Sequence, residues 1–423
     1  MEKIVESFEL YGKSYRLETG ELAKQATGAV LVTQGETTCL VTAVVSKEQK
    51  DYDFFPLTVD FNEKMYAAGR IPGGYLKREG RPSEKATLTA RMIDRPIRPS
   101  FPDGFRNEVH IVATSLVADQ VNPFDVINVM GASLAMTLGG VPFEGPLACV
   151  RIGRNVETGE FIVNPTYEER ENSDLDLELG GSADFISMVE AGAEEISEDD
   201  MLAAMKFGQE ALAAFCQAQD EFVAEWEQVN GPIVKKEYPL DQPVEEVQER
   251  IFAHYDEMAA ALRDADKLSR IGKVEALKES IRAEFTEEEQ AAWEREIPVA
   301  LKKLEKKAMR TMVVETGERV DGRAADEIRP IMVKDNYLPL VHGSGLFQRG
   351  QTQVLSVLSL GMLNEGQRLD TIEPTEGKRY MHHYNFPPFC TGETGRMGSP
   401  KRREIGHGNL AERALIPVLP DQA

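Results

Sequence analysis

Lys77, Arg78, Arg81, Lys85, Arg91, Arg95 and Arg98 crowd one stretch of a chain whose net charge is −23, opposed there only by Glu79, Glu84 and Asp94. A guanidinium offers a planar fork of donors that binds phosphate oxygens bidentately with charge assistance. Gly73 and Gly74 precede the stretch and Pro82 interrupts it, so it reads as an exposed loop that leads into a helix. The same arginines, Arg91 and Arg95 above all, would equally serve to pair Asp94 or buried carboxylates. A second cluster runs Arg396-Met-Gly-Ser-Pro-Lys-Arg-Arg-Glu-Ile-Gly-His-Gly408. Its glycines and Pro400 leave backbone free to approach a phosphate around Lys401, Arg402 and Arg403. His407, between two glycines, can hydrogen-bond a phosphate oxygen or move a proton; the alternative is a structural histidine bonded to backbone. His382 and His383 fall in an expected strand and read as packing or interface residues.

Other chemistries lack their residues. The chain contains no G-x-x-x-x-G-K-[ST], G-x-G-x-x-G, H-E-x-x-H or G-x-S-x-G, which removes P-loop, dinucleotide, zincin and α/β-hydrolase readings. Cys39, Cys149, Cys216 and Cys390 are scattered without a C-x-x-C pair, so they read as small buried apolar residues of a reducing compartment. Asp174 and Asp176 alternate onto one face of an expected strand, where they would serve either a metal or a neighbouring cation.

The elements that must position these groups are written twice. Gly28 to Leu40 lies on Gly343 to Leu355 at a constant offset, with both glycines, two leucines and a threonine coinciding. Each copy reads as two strands joined by a tight turn at Gly35 or Gly350. Asp53 to Phe61 resembles His382 to Phe389, Lys77-Arg-Glu79 matches Arg402-Arg-Glu404, and Leu88 to Arg91 matches Leu410 to Arg413. Matches in the same order indicate two copies of one fold. The first copy continues with a helix from Val126 to Leu138 closed by Gly139-Gly140, a strand ending near Gly153, strands over Asp174–Leu179 and Phe185–Glu190, and a helix from Glu198 to about Trp226. From Val244 to Ala308, apolar residues recur at three- and four-residue spacing among Glu, Lys, Arg and Ala, interrupted only by Gly272 and Pro298; this predicts an all-helical connector with solvated charged faces.

The predicted fold class is therefore α+β: a first copy over residues 1–228, a helical domain over 240–310, and a second copy over 311–423 that is incomplete at its C-terminus. The chain end falls opposite about Phe101 of the first copy, so the sequence is expected to be a piece of a longer protein. No run of eighteen apolar residues occurs, and acids stand where a signal peptide would carry a basic flank, so a cytoplasmic protein without a membrane partner is expected. Net acidity speaks against a nucleic-acid partner, but binding depends on where the cations sit.

Glu79-Gly-Arg-Pro-Ser-Glu84, Ile93-Asp-Arg-Pro-Ile-Arg-Pro99, Tyr380-Met-His-His-Tyr-Asn-Phe-Pro-Pro388 and Gly395 to Gly408 together resemble bacterial polynucleotide phosphorylase, over essentially the whole chain. The resemblance implies two RNase PH-like domains joined by a helical domain, assembled as a homotrimeric ring that threads single-stranded RNA. It implies attack of inorganic phosphate on the 3′-terminal phosphodiester, with Mg²⁺ as cofactor and a possible place in a larger RNA-degradation complex. Tyr75, Lys77 and Arg78 occupy the family's channel-narrowing aromatic-and-arginine loop. Leu76 and Lys77 replace an aromatic and an arginine often found there, so weaker stacking with surviving phosphate contact is expected. Arg81, Arg95 and Arg98 join that RNA-binding set; Arg402 and Arg403 correspond to arginines that hold RNA near the active site, and His407 to a residue at the phosphate pocket. The family's serine-rich loop, aspartate pair and lysine would lie beyond Ala423, leaving the first copy, with Glu178 where a cation is wanted, a non-catalytic twin. The competing expectation is a non-catalytic RNA-threading ring subunit or scaffold.

Overall fold

Alternation of apolar residues writes the first sheet. Strands β1 (Ile4–Leu10), β2 (Lys13–Thr19), β3 (Gly28–Gln34), β4 (Thr37–Gln49), β5 (Leu57–Asn62) and, after helix α1 (Glu84–Ile97), β6 (Asn107–Val117) form one sheet in the order β1-β2-β3-β4-β6-β5. This is a computed structural model that describes residues 2–49, 51–375 and 377–420. Every pairing in the sheet is antiparallel except β5 with β6. Val30, Val32, Cys39, Val41 and Ala43 point to one side, where helix α2 (Ile127–Leu138) covers them. Helix α2 is apolar around its whole circumference, as a helix enclosed on all sides must be. It ends at Gly139 with Gly140 in the left-handed conformation, as the Gly-Gly pair predicts.

A second sheet encloses α2 from its other side. Strands β7 (Ala148–Asn155), β8 (Phe161–Val163), β9 (Ser173–Gly181) and β10 (Ile186–Ala193), with short helix α3 (Tyr167–Glu171) between β8 and β9, run antiparallel in the order β10-β9-β7-β8. Helix α4 (Glu198–Asn230), N-capped by Ser197, buries Ala204, Ala211, Leu212, Phe215 and Phe222 against β7 and β9. These elements belong to a compact unit made of Met1–Pro239 with Leu363–Ala423.

The other unit, Leu240–Met362, holds the expected helices: α5 (Glu245–Phe252), α6 (Tyr255–Leu262), α7 (Lys267–Ala283), α8 (Glu287–Ala292) and α9 (Glu296–Thr316). Their apolar stripes bury Val247, Ile251, Met258, Leu262, Ile281, Leu301 and Leu304 in a core of their own. Neither Gly272 nor Pro298 breaks a helix: Gly272 lies inside α7, and Pro298 sits in the first turn of α9, where a missing N–H costs nothing. The breaks come instead at caps such as Asp266, which accepts from the Ser269 amide, and Thr286, which forms a capping box with Glu289.

The same unit contains β11 (Ile331–Asp335), β12 (Gly343–Arg349) and β13 (Thr352–Leu358), and here the duplication becomes geometry. Leu31 faces Leu40 and Gln34 faces Thr37 across β3–β4; Leu346 faces Leu355 and Arg349 faces Thr352 across β12–β13. The turns begin at Gly35 and Gly350, at φ of 59° and 60°, which an L side chain resists. Even the bond behind each turn recurs, from the Gly35 amide to Ser14 and from the Gly350 amide to Pro330. Residues 311–423, expected as one module, are divided between the units, with everything from Leu363 onward belonging to the first.

That returning segment carries β14 (Gln367–Arg368), β15 (Gly377–Lys378) and α10 (Arg402–Leu415), which packs on α1. Both α1 and α10 have 14 residues, and both run on into a 3-10 turn, Arg98–Ser100 and Ile416–Val418. Asp94-Arg95 is thus opposite Glu412-Arg413, and Arg402 is opposite Glu84. The Lys77-Arg-Glu match to Arg402-Arg-Glu is fortuitous, because Lys77 lies in the loop before α1 and Arg402 opens α10. The strand expected at His382 and His383 is absent as well. Its first-copy relative β5 is an edge strand held by β6 alone; the His382 and Phe386 amides instead donate to Glu412 and Glu404 of α10. Cys39, Cys149 and Cys216 are buried as expected, but Cys390 is exposed. No helix among the described residues is long and apolar enough to cross a membrane.

Candidate nucleic-acid interface

The first basic stretch is a loop that feeds α1. Ser83 caps α1 by accepting from the Ala86 amide, while its hydroxyl donates to Glu63. Ahead of it, Tyr75 and Leu76 stand 98% and 83% exposed, side by side and open to a partner. Lys77 takes a left-handed φ of 50° at the turn, and its ammonium donates to the Gly73 carbonyl at 3.3 Å. Its own backbone amide and that of Met65, with smaller contributions from Lys64 and Arg78, hold the Glu79 carboxyl below the ordinary range. Arg81 donates to the Ser399 hydroxyl at 3.3 Å, so the first basic stretch meets the second.

The second cluster is ordered by α10. Glu404 accepts the Lys401 amide and the Phe386 amide, each at 2.8 Å, and these two bonds hold its carboxyl low. Glu404 therefore stays ionised but bonds backbone amides, and the Arg403 guanidinium lies over the Phe386 ring at 5.4 Å. His407 stands edge-on to Tyr384 with centroids 5.3 Å apart. Burial, then Arg403, then Arg91 push its pKa down, so the imidazole is neutral at pH 7. Gly406 lets the two helices bring these groups together, because a Cβ would sit 2.2 Å from Nε of Arg91 on α1 and push the guanidinium aside. That Nε is buried without a hydrogen-bond partner. Arg91 and Arg403 therefore meet beside the neutral His407 across the α1–α10 contact; Asp94 offsets Arg91 only in part, so its pKa is still lowered, and an anion placed among them would remove the cost.

Three other predicted RNA ligands are engaged inside the fold. Arg95 pairs with Glu190 and donates to the Val189 carbonyl. Arg98 pairs with Asp94 at 2.8 Å and donates to the carbonyls of Phe55 and Leu57. Arg402 donates to the Val59 carbonyl and pairs with Asp60, which also meets His110 at 2.9 Å.

The carboxylates considered for a metal are engaged too. Asp176 is within 2.8 Å of Arg151, 3.3 Å of Arg170 and 3.2 Å of Arg413, and Glu178 pairs with Arg151. Burial raises the Asp176 pKa, but the three arginines outweigh it and the net shift is downward. Asp174 pairs with Arg154 at 3.2 Å. Guanidinium groups already fill the positions a cation would take, so these residues do not fit Mg²⁺, and no group of three metal-ligating side chains occurs among the described residues. Sequence reasoning missed the centre of this network. Arg151, 3% exposed, bridges Asp125, Asp176 and Glu178, and Lys85 joins Asp125 to Glu373. The available signal was an arginine inside the apolar run Ala148-Cys-Val-Arg-Ile152, which folding cannot bury unpaired.

Comparison with known proteins agrees with this arrangement. Residues 12–142 and 327–423 both match domain 1 of the 3′ exoribonuclease family, as a duplication requires, and residues 145–211 match domain 2 of that family. Residues 245–324 match the RNA-binding domain of polyribonucleotide nucleotidyltransferase. The fold is thus α+β, with RNase PH regions on either side of a helical domain. The polyribonucleotide nucleotidyltransferase of Heliobacterium modesticaldum is 49% identical over 422 residues, 98% of this chain and 58% of that protein. That of Geobacillus kaustophilus is 48% identical over 423 residues, 100% and 58%, and that of Enterococcus faecalis 47% over 417 residues, 97% and 58%. This chain therefore spans somewhat over half the length of the curated relatives it matches. A chain of the Archaeoglobus fulgidus exosome with RNA bound to the active site overlays at a TM-score of 0.37 and 14% identity, over 51% of this chain and 89% of that one, a likeness too slight to argue from.

Proposed function

Because the chain belongs to the 3′ exoribonuclease family, we propose that it is the RNA-gripping part of a polyribonucleotide nucleotidyltransferase that shortens RNA from its 3′ end by phosphorolysis. The observation that carries this reading is the meeting of two guanidinium groups, Arg91 with its unbonded Nε and Arg403, beside the neutral His407, joined to the exposed loop Tyr75–Arg78 through the Arg81–Ser399 contact. Lys77, Arg78, Arg81 and Arg403 hold phosphates, and Tyr75 stacks a base. Arg95 and Arg98 hold α1 to its surroundings, and Arg402 reaches RNA only by leaving Asp60. Residues 1–228, 240–310 and 311–423 are the functional modules.

In the reaction, an oxygen of inorganic phosphate attacks the 3′-terminal phosphodiester. A P–O–P bond forms and leaves as a nucleoside diphosphate, while the broken P–O bond returns a 3′ hydroxyl to the shortened RNA. Phosphate is already a nucleophile, so catalysis is mainly positioning and charge neutralisation. His407, held neutral, accepts a hydrogen bond from the phosphate that gives up its proton to the departing 3′ oxygen. The whole enzyme is a cytoplasmic, Mg²⁺-dependent homotrimer open to a larger RNA-degradation complex. Occupation of Asp176 and Glu178 by arginines favours a purely RNA-threading role for residues 1–423 themselves. With poly(A), phosphate and Mg²⁺, residues 1–423 should bind RNA but release no nucleoside diphosphate. Steady phosphate-dependent release would refute that threading role.

A further inference from the structure

The loop that carries Tyr75–Arg78 has little structure of its own. Between β5 and α1 the chain forms only the 3-10 turn Met65–Ala68, so 20 residues from Glu63 to Pro82 depend on other segments for their shape. The end of β6 holds its first turn, where the Lys64 amide donates to the Ser115 hydroxyl and the Ala118 amide to the Ala67 carbonyl, and a second segment holds the stretch that follows. Asp370-Thr-Ile-Glu373 inserts beside the loop, with Ile372 only 1% exposed in the core of the first unit and Thr371 buried. The Ile372 amide donates to Glu63 at 3.0 Å, and Gln120 donates to the Ile372 carbonyl at 2.8 Å. Arg70 donates to the Thr371 carbonyl at 3.0 Å, and Glu373 pairs with Lys85 at 2.9 Å. The last bond falls at the root of the exposed tip: the Gly73 amide donates to the Asp370 carboxylate at 2.6 Å. A Cβ on residue 73 would stand 2.8 Å from that same carboxylate oxygen, so a larger side chain there would displace the carboxylate.

We propose that Asp370 is a positioning residue for RNA, a strut that fixes the base of the Tyr75–Arg78 tip through the Gly73 amide. This rests on the reading of the tip as an RNA contact. A loop held in its binding geometry loses less freedom on binding, and a loop that is competent only part of the time shows an affinity reduced by that fraction. Asp370 is exposed and acidic, which separates the strut from a bystander. A carboxylate that merely lay near RNA would repel it, and its removal would tighten binding.

The test uses the whole chain with Asp370→Ala, Asp370→Asn and Gly73→Ala, a single-stranded oligoadenylate, and hydrogen exchange of the Gly73–Arg78 amides. Asp370→Ala should speed exchange across the tip and weaken RNA about fivefold, with the salt slope unchanged because no phosphate contact is lost. Asp370→Asn keeps an acceptor oxygen and should stay near the parent protein; Gly73→Ala pushes the strut away from the other side and should resemble Asp370→Ala. Unchanged or tighter RNA binding in Asp370→Ala, or unchanged tip exchange, overturns the strut. Lys77→Ala with Arg78→Ala tests the underlying reading separately: if that pair binds RNA normally, the tip is no RNA contact, whereas exchange at Gly73 still reports on the strut.

Discussion

Two groups of charged residues lie on this fold, and they are built on opposite terms. Around Arg151, every guanidinium meets a carboxylate: Asp125, Asp176 and Glu178 surround it, and Arg413 and Arg170 close the set. Around Arg403 no ion pair forms among the described residues: Arg91 and the neutral His407 are its neighbours, and ionised Glu404 bonds backbone amides instead. The first group is satisfied by the chain and holds it together. The second is satisfied only by something from outside. Residue type alone does not separate them, since both are rich in arginine; the counter-ions and burial do.

The comparison breaks most easily at its balanced side. Arg151→Met leaves Asp125, fully buried, with Lys85 alone and Glu178 with only the longer Arg413 contact, and should cost about 3–5 kcal/mol in urea unfolding. Arg403→Ala strands nothing and should cost under about 0.5 kcal/mol; a similar loss in both variants would erase the distinction. Acid sharpens the same contrast. Burial would raise the Asp125 pKa, but Arg151 and Lys85 overcome it and hold the carboxyl well below the ordinary range. Its contribution is therefore present above the unfolded value of about 4 and is lost as pH falls below it. Stability should decline on acidification from about pH 5, and Arg151→Met should flatten that decline. A parent protein whose stability is level from pH 5 to pH 3 would contradict the assignment.

On the unbalanced side the effects are smaller and appear in binding. Tyr75→Ala should weaken oligoadenylate by about 1–3 kcal/mol, read by fluorescence titration, if the ring stacks a base; equal affinity would leave the ring without that role. The smallest effect concerns His407. Held neutral at pH 7 by burial and two arginines, it gains charge only on acidification past the ordinary imidazole range, so RNA affinity should rise as pH falls through the acidic range. His407→Gln should lack that rise, and an identical pH profile in the two proteins would assign it elsewhere.

Much of this was legible before any coordinates. The repeated Gly-x-Thr turns, the Gly-Gly end of α2 and the helical connector follow from backbone rules that act over a few residues. What failed was register across distance. A Lys-Arg-Glu triplet repeats by charge alone, and only the 3-10 turns after α1 and α10 reveal that Arg402 belongs opposite Glu84. Arg95 and Arg98 read as phosphate ligands because their partners, Glu190 and the carbonyls of Phe55 and Leu57, arrive from remote strands and loops. Arg151 went unremarked for the same reason, its three carboxylates being spread from residue 125 to residue 178.

The most direct measurement is the salt dependence of single-stranded RNA binding in two multiple variants of the full chain. Lys77→Ala, Arg78→Ala and Arg403→Ala together remove three uncompensated cations and should lower the slope of log affinity against log salt by about 2. Arg95→Ala with Arg98→Ala removes two cations already paired within the fold and should leave the slope unchanged. A lower slope in the second variant with none in the first would contradict the assignment of RNA to the unbalanced cluster.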